Sequence, residues 1–394
     1  MTKPADLSPP LRAAIAAMDS HPMAAVTPKG WDVPGVIPLW FGESDLQTPD
    51  FIADAARAAL DRGETFYGFS SGKRSLIEAI SAYTERLYGK PLPPHRITVP
   101  GSAMLSLTIT LNTLVETGDN VVIVSPIWPN IFMAAQSMGA EPRFVRLDNR
   151  AADGTLKPWS LDLNRLFGAC DARTKAIFIS SPGNPTGWIL SDDERRAILD
   201  FARAQRIAII SDEVYHRLVY DRPAAPSFHE IAEPDDPVFI IHSFSKGWAM
   251  TGWRLGWVVH PEALVKNFAI QSAVFNTGAT AFIQDAGTAA LDQGEDFVRA
   301  MVKRCEKGRA RVMETLGAHP RIRLSEPEGA FYAFPEIDGL TDSLGFCRRV
   351  LDEAKVGLAP GNAFGPGNEA HIRLCFAQNP DLLDQALERL IRFL

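Results

Sequence analysis

"AIFISSPGNPTGWILSDDERRAILDFARAQRIAIISDEVY", residues 176–215, decides how the rest of the chain is read. It opens and closes on short apolar runs, "AIFI" (176–179) and "IAII" (207–210), and each run breaks at once into polar residues. Between them Ser191 and Glu194 have the spacing of a capping box, in which hydroxyl and carboxylate each satisfy a free backbone N–H. An amphipathic helix of about three to four turns is expected to follow. Strand, capped helix, strand is a βαβ unit, and unbroken apolar runs of this length mark strands buried on both faces of a parallel sheet.

Two further runs, "VVIV" (121–124) and "VFII" (238–241), have the same form. In an open α/β sheet, ligands gather beyond the carboxyl ends of the strands, so the loops after the four runs are the place to look for chemistry. They read "SPIWPN", "SSPGNPTGW", "SDEVY" and "HSFSK". One pocket lined by Trp128, Asn184, Asp212, Tyr215, Ser243 and Lys246 is the simplest geometry that uses them all.

The texture changes near residue 295, where "EDFVRAMVKRCEKGRARVMETLGAH" reads as a long charged helix leaving the sheet. Beyond it "RIRLSEPEGAFYAFPEI" and "AHIRLCFA" read as strands and "PDLLDQALERLIRFL" as a closing helix. The chain's 394 residues suffice for more than one core, and 46% hydrophobic with 22% charged residues is a globular composition. A formal charge of -7 supplies no basic face for nucleic acid. No run approaches the length of a membrane span and the start has no secretory core, so a cytoplasmic location is expected. Cys170, Cys305, Cys347 and Cys375 are scattered without C-x-x-C spacing, which points to buried thiols and to neither a metal site nor a disulfide framework.

The loop residues suit a ligand that carries an aldehyde, a pyridine nitrogen and a phosphate. Lys246 can form a Schiff base, and its amine becomes a usable nucleophile when desolvated or set beside a cation such as Arg254. Asp212 can hold a proton on a pyridine nitrogen, and Trp128 can stack on the ring. Tyr215 and Asn184 can hydrogen-bond a ring hydroxyl. "GSA" (101–103) opens an apolar segment as a helix start would, and Ser243, Ser245 and Arg254 can close a phosphate site there. Taken singly, each has a plainer reading: a solvated lysine, a capping aspartate, a core tryptophan, an arginine stacked on Trp253 or Trp257.

In order along the chain stand "FGESDLQTP", "YGFSSGKRSLIEAI", "GSA", "SPIWPN", "SPGNPTG", "SDEVY", "SFSKGWAMTGWRLGW", "PEGAFY", "PGNAFG" and "RLCFA". With them the chain resembles, over almost its whole length, the fold-type I pyridoxal-phosphate enzymes of the class I/II aminotransferase family. The resemblance implies a mostly parallel, seven-stranded-type sheet in a three-layer large domain with a smaller α+β domain. The expected division is an N-terminal arm with part of the small domain over 1–44, a large cofactor-binding domain over 45–292, and a C-terminal small domain over 293–394.

The resemblance further implies that Lys246 holds pyridoxal 5'-phosphate as an internal aldimine and, once freed, moves the proton between the substrate Cα and the cofactor. Asp212, Tyr215, Asn184 and Trp128 match the groups around the ring, and Gly101, Ser102, Ala103, Ser243 and Arg254 the phosphate cup. Arg373 matches the arginine that grips the substrate α-carboxylate, assisted by Gly42 and Asn184. Tyr67 matches a tyrosine that reaches the neighbouring subunit's phosphate, which implies a homodimer with shared sites.

Transamination between an L-amino acid and a 2-oxo acid is the expected reaction. A C–S β-lyase on the same fold is the alternative, and a non-catalytic pyridoxal-phosphate-sensing module the remote one. Gln271 stands where relatives selective for acidic substrates place a cation, and no Lys or Arg occurs from Ile97 to Pro142. Trp31, Trp40, Phe41, Phe66 and Phe275 are expected to form an apolar wall, and the donor to be neutral or aromatic. His21, His216, His242 and His260 are expected to pack or to face solvent, since the lysine already supplies acid–base chemistry.

Overall fold

The computed structural model describes residues 10–18, 22–26 and 33–394. Among these a seven-stranded sheet forms the centre. Its strands are β1 (Ile97–Gly101), β2 (Asn120–Ser125), β3 (Glu141–Arg146), β4 (Thr174–Ser180), β5 (Ala208–Asp212), β6 (Val238–Ser243) and β7 (Gly256–Val259). They lie in the spatial order β1-β7-β6-β5-β4-β2-β3. Neighbours are parallel except at β7, which runs antiparallel to both β6 and β1. This is the α/β fold expected, and the four apolar runs are its adjacent strands β2, β4, β5 and β6.

Strand alternation divides each run between two cores. Val122, Val124, Ile177, Ile179, Ile209 and Ile240 join the core on one face. Val121, Ile123, Phe178, Ile210, Phe239 and Ile241 join the core on the other. Each such side chain contributes roughly 1.5–3 kcal/mol by leaving water.

The helix Asp192–Gln205 starts on the expected capping box: Glu194 N donates to Ser191 Oγ at 3.3 Å and Ser191 N to Glu194 Oε2 at 2.8 Å. Arg195, Ile198, Leu199 and Ala202 form its buried face, at the spacing a helix packed on a sheet requires.

A third core joins Val26, Ile37, Leu39 and Trp40 from the N-terminal part to residues beyond 300. The long charged helix is Glu295–Gly317, and it buries Val298, Met301, Cys305, Gly308, Val312 and Leu316. A Cβ at Gly308 would lie 2.4 Å from the Phe376 carbonyl oxygen, so only glycine permits this approach. "HIRLCFA" supplies the strand Ile372–Cys375, and Pro380–Phe393 is the closing helix. "RIRLSEPEGAFYAFPEI" gives only two-residue pieces, Ile322–Arg323, Tyr332–Ala333 and Glu336–Ile337, because Pro327 and Pro335 interrupt the supply of backbone donors.

Candidate active site

A cavity of about 390 Å³ opens at the carboxyl ends of β4, β5 and β6. Gly42, Ala103, Trp128, Asn184, Asp212, Tyr215, Ser243, Ser245, Lys246, Arg254 and Arg373 all line it. Trp40 and Phe41 form part of its wall, as do Met23, Glu43, Met104, Leu107, Thr251, Tyr332 and Phe364.

Lys246 and Arg254 come from one excursion of the chain. Ser243, the last residue of β6, is the cross-strand partner of Gly256, the first of β7, so residues 244–255 leave and return at one point on the sheet. Gly256 also lets the helix Ala103–Leu114 start against this hairpin, since a Cβ there would stand 2.7 Å from the Ala103 nitrogen. The positive end of that helix, two serines and a guanidinium therefore face one corner, a setting made for an anion.

The Lys246 amine donates to the Gly42 carbonyl and lies 5.7 Å from the centre of the Tyr215 ring. Burial, with the charges of Arg373 and Arg254, lowers its pKa to about 8 against the opposing pull of Cys375 and Glu43. Asp212 ends β5 on the cavity side, and burial raises its pKa to about 6, while the Val214 N–H at 3.3 Å and Lys246 oppose the rise. The next residue, Glu213, falls on the opposite face of the sheet. Its Oε1 accepts from Ser211 Oγ at 2.9 Å and Phe228 N at 3.2 Å, while its buried Oε2 has no hydrogen-bond partner among the described residues and lies 3.8 Å from His242 Nε2. Burial raises that carboxyl to about 7.

Arg373 is buried between the rings of Tyr332 and Phe364, with Cζ 4.6 and 5.0 Å from their centres. One Nη donates to Asn184 Oδ1 at 3.1 Å, the other to the Trp40 carbonyl, and Nε is without a partner among the described residues. Tyr332 and Tyr215 share a hydroxyl–hydroxyl bond of 2.6 Å. A Cβ on Gly42 would stand 2.1 Å from the Tyr332 hydroxyl, so glycine lets the strip that carries it lie against this pair.

Three expected groups lie elsewhere. Gly101 and Ser102 stand behind the wall: the Ser102 hydroxyl accepts from Leu105 N at 3.2 Å as the helix cap, and Gly101 turns with φ +140°. Tyr67 is 92% exposed and outside its own chain's cavity. Phe66 and Phe275 must be corrected as wall residues of their own chain's cavity, because they are 84% and 41% exposed and do not line it. Their apolarity marks a surface that avoids water without saying which one. Trp31 and His21 lie outside the described residues.

His216, His242 and His260 are buried away from the cavity, and burial lowers the pKa of His242 to about 3 and of His260 to about 4. The tryptophans of 243–257 pack: Trp248 and Trp257 are buried, and Trp253 Nε1 donates to Thr48 Oγ1 at 2.9 Å. Glu43 and Tyr332 line the cavity and were not singled out in sequence, although each sits inside a recognised motif, "FGESDLQTP" and "PEGAFY". Glu43 accepts from Thr251 Oγ1 at 2.8 Å.

Residues 34–390 match the profile of the family described as aminotransferase class I and II. The aspartate aminotransferase of Pyrococcus horikoshii is 34% identical over 358 residues, which cover 90% of this chain and 90% of that one. The solved aromatic aminotransferase from Pyrococcus horikoshii is similar with a TM-score of 0.84 and 32% identity, covering 93% of this chain and 98% of that one. The alanine aminotransferase from Pyrococcus furiosus gives a TM-score of 0.89 at 26% identity, covering 98% and 99%.

Proposed function

We propose, from the premise that this chain belongs to the class I and II aminotransferase family, that its amino donor is a neutral or aromatic L-amino acid and its acceptor 2-oxoglutarate or pyruvate. That it is a pyridoxal-phosphate-dependent aminotransferase follows from the family. The donor does not, because the relatives are named for aspartate, aromatic amino acids and alanine alike.

The cavity's donor set fits the cofactor: a buried amine, a buried carboxylate, and an anion corner at a helix start closed by Arg254. When bound, pyridoxal phosphate supplies the electron sink that takes up the pair left on the substrate Cα. In this proposal Lys246 would be the covalent anchor, and its amine, once freed, would take the Cα proton and deliver it two atoms away, to the cofactor carbon it had itself been joined to. Asp212 holds a proton at the ring nitrogen, Asn184 and Tyr215 hydrogen-bond the ring hydroxyl, and Trp128 offers an aromatic face. Ser243, Ser245, Arg254 and the helix start at Ala103, with Gly101 and Ser102 behind it as its turn and cap, would hold the phosphate. Arg373, already fixed by Asn184 and the Trp40 carbonyl, presents its free edge to the substrate α-carboxylate, with Gly42 beside it.

The observation that carries the donor proposal is the lining itself. Its cations are Lys246, Arg254 and Arg373, each assigned above, and the remaining charged groups are the acids Glu43 and Asp212. Among the described lining residues no cation is left for a second carboxylate, so pyruvate fits this lining as acceptor and 2-oxoglutarate would be held by Arg373 through its α-carboxylate alone, whereas Met23, Trp40, Phe41, Met104 and Leu107 offer apolar contact. A screen of amino donors against several 2-oxo acids, with products identified, tests this. Turnover of aspartate far above every neutral amino acid would overturn it, and pyruvate with ammonia as products would indicate the lyase.

The proposal includes a homodimer, supported by Phe66, Tyr67, Phe69 and Val274, exposed at 84%, 92%, 80% and 74%. Sedimentation at micromolar concentration tests it, and a monomer refutes it. A cytoplasmic site of action is part of the same reading: the four cysteines are free thiols, and no described helix is long and apolar enough to cross a membrane. The domain limits 1–44, 45–292 and 293–394 are proposed likewise, supported by the core that joins the N-terminal strip to the residues past 300.

A further inference from the structure

The segment carrying Tyr67 is held in an unusual way. Four charges close a ring at its base. Arg62 reaches Glu64 at 2.9 Å and Asp285 at 2.7 Å, and Lys73 reaches Asp285 at 2.6 Å and Glu64 more closely still. Each cation thus touches both carboxylates, and each carboxylate both cations. The backbone is tied beside the ring: Lys73 N donates to Gln284 Oε1 at 2.6 Å, Val99 N to the Ser71 carbonyl at 2.8 Å, and Ser272 Oγ to the Ser70 carbonyl. Gly72 has φ +114°, and a Cβ there would stand 2.9 Å from Val99 Cβ, so this end cannot drift from β1.

Between these fixed ends Phe66, Tyr67 and Phe69 project with almost no burial. A loose loop would fold such rings onto its own chain; a tethered one holds them out. What they meet is argued by the surface beside them. The helix Val265–Asn276 exposes Ile270 and Val274, and its Asn276 Nδ2 donates to the Pro100 carbonyl at 2.8 Å, next to Gly101 at the anion corner. The helix that exposes these residues therefore ends against the turn that leads into that corner. A second copy seated by a two-fold axis places each copy's projecting segment at the other's corner.

We propose that Arg62, Glu64, Lys73 and Asp285 are positioning residues for Tyr67, and that through it they set how firmly the partner protomer retains the cofactor phosphate. The proposal rests on the homodimer reading. A solitary pair at this exposure contributes little. In the closed ring, however, losing one member leaves two opposite charges short of a partner, and the base of the segment loosens.

The test measures cofactor release from holoenzyme on dilution, together with sedimentation of each variant. Tyr67→Phe, which removes the hydroxyl, speeds release about tenfold or more. Lys73→Met and Asp285→Asn speed it about two- to fivefold, and Lys73→Arg restores most of the loss. The deciding measurement is the double variant: Lys73→Met adds nothing once the Tyr67 hydroxyl is gone, whereas general loosening of the fold would add in full. Dimeric Lys73→Met and Asp285→Asn with wild-type release, or full additivity in the double variant, overturns the ring's role alone. A monomeric wild-type holoenzyme overturns the dimer reading, and the proposal with it.

Discussion

Replacing Arg373 by lysine keeps the charge and removes the shape. The guanidinium lies close to the rings of both Tyr332 and Phe364, one Nη on Asn184 Oδ1 and the other on the Trp40 carbonyl. A lysine ammonium cannot fill both anchors and still grip a carboxylate with two parallel bonds, and it lacks a plane to lie between the rings. Charge-assisted hydrogen bonds contribute about 1.5–3 kcal/mol each, so losing one prong and leaving one anchor vacant removes about 3 kcal/mol. The expected result is a fall in kcat/KM of about a hundredfold, carried mostly by KM, because the carboxylate is gripped in ground state and transition state alike. The assay is steady-state transamination over a wide range of amino-acid concentration, with urea unfolding of the same preparation to show an intact fold. A loss below tenfold, or one carried by kcat alone, would refute the assignment of Arg373 to the substrate carboxylate.

Three other expectations follow from geometry. In cofactor-free enzyme, modification of Lys246 by an amine reagent rises with pH with a midpoint near 8, where an ordinary lysine titrates near 10.5; a midpoint near 10.5 contradicts the burial argument. Because the folded-state value is the lower one, the unfolded chain binds the extra proton between about pH 8 and 10.5, and this group's cost to the cofactor-free fold, fully present below pH 8, is relieved across that window. Gly308→Ala forces a methyl against the Phe376 carbonyl 2.4 Å away and destabilises by about 1–3 kcal/mol in urea unfolding; a change under 0.5 kcal/mol counts against that packing. Glu213→Gln, which mimics the protonated acid that burial favours near neutrality, changes stability at pH 6 by less than about 1 kcal/mol, while Glu213→Ala, which strips Ser211 and Phe228 of their acceptor, costs about 2 kcal/mol or more. Equal losses in the two variants would show that the carboxyl is ionised.

What the sequence disclosed of the fold tracks burial. Central strands such as β4 and β5 are covered on both faces along their middles, and each carries an unbroken apolar run there, Ala176–Ile179 and Ala208–Ile210. The outer strand β3 is half-exposed and contains Pro142, and β1 contains Pro100, so neither shows a run. The site was legible where a chemically loaded loop follows a strand directly, as at Asp212 and Lys246. Glu43 and Tyr332 were not, since they reach the cavity only when segments some 290 residues apart pack together, and local spacing holds no trace of that approach. Phe66 and Phe275 mark the converse case, where apolarity is visible in sequence and its destination is not.

The one reversed strand in an otherwise parallel sheet makes the site a gauge of length. A crossover to another parallel strand would carry the chain away over a helix, whereas the turn into β7 ends opposite the residue where it began, Ser243 facing Gly256. Lys246 and Arg254 are therefore two marks on one loop anchored at a single point of the sheet. Under the roles proposed for Lys246 and Arg254, a molecule is accepted when its carbonyl carbon and its anionic group stand as far apart as those marks. Pyridoxal without phosphate offers nothing to the second mark, and a phosphate one methylene further out presents the right chemistry at the wrong distance.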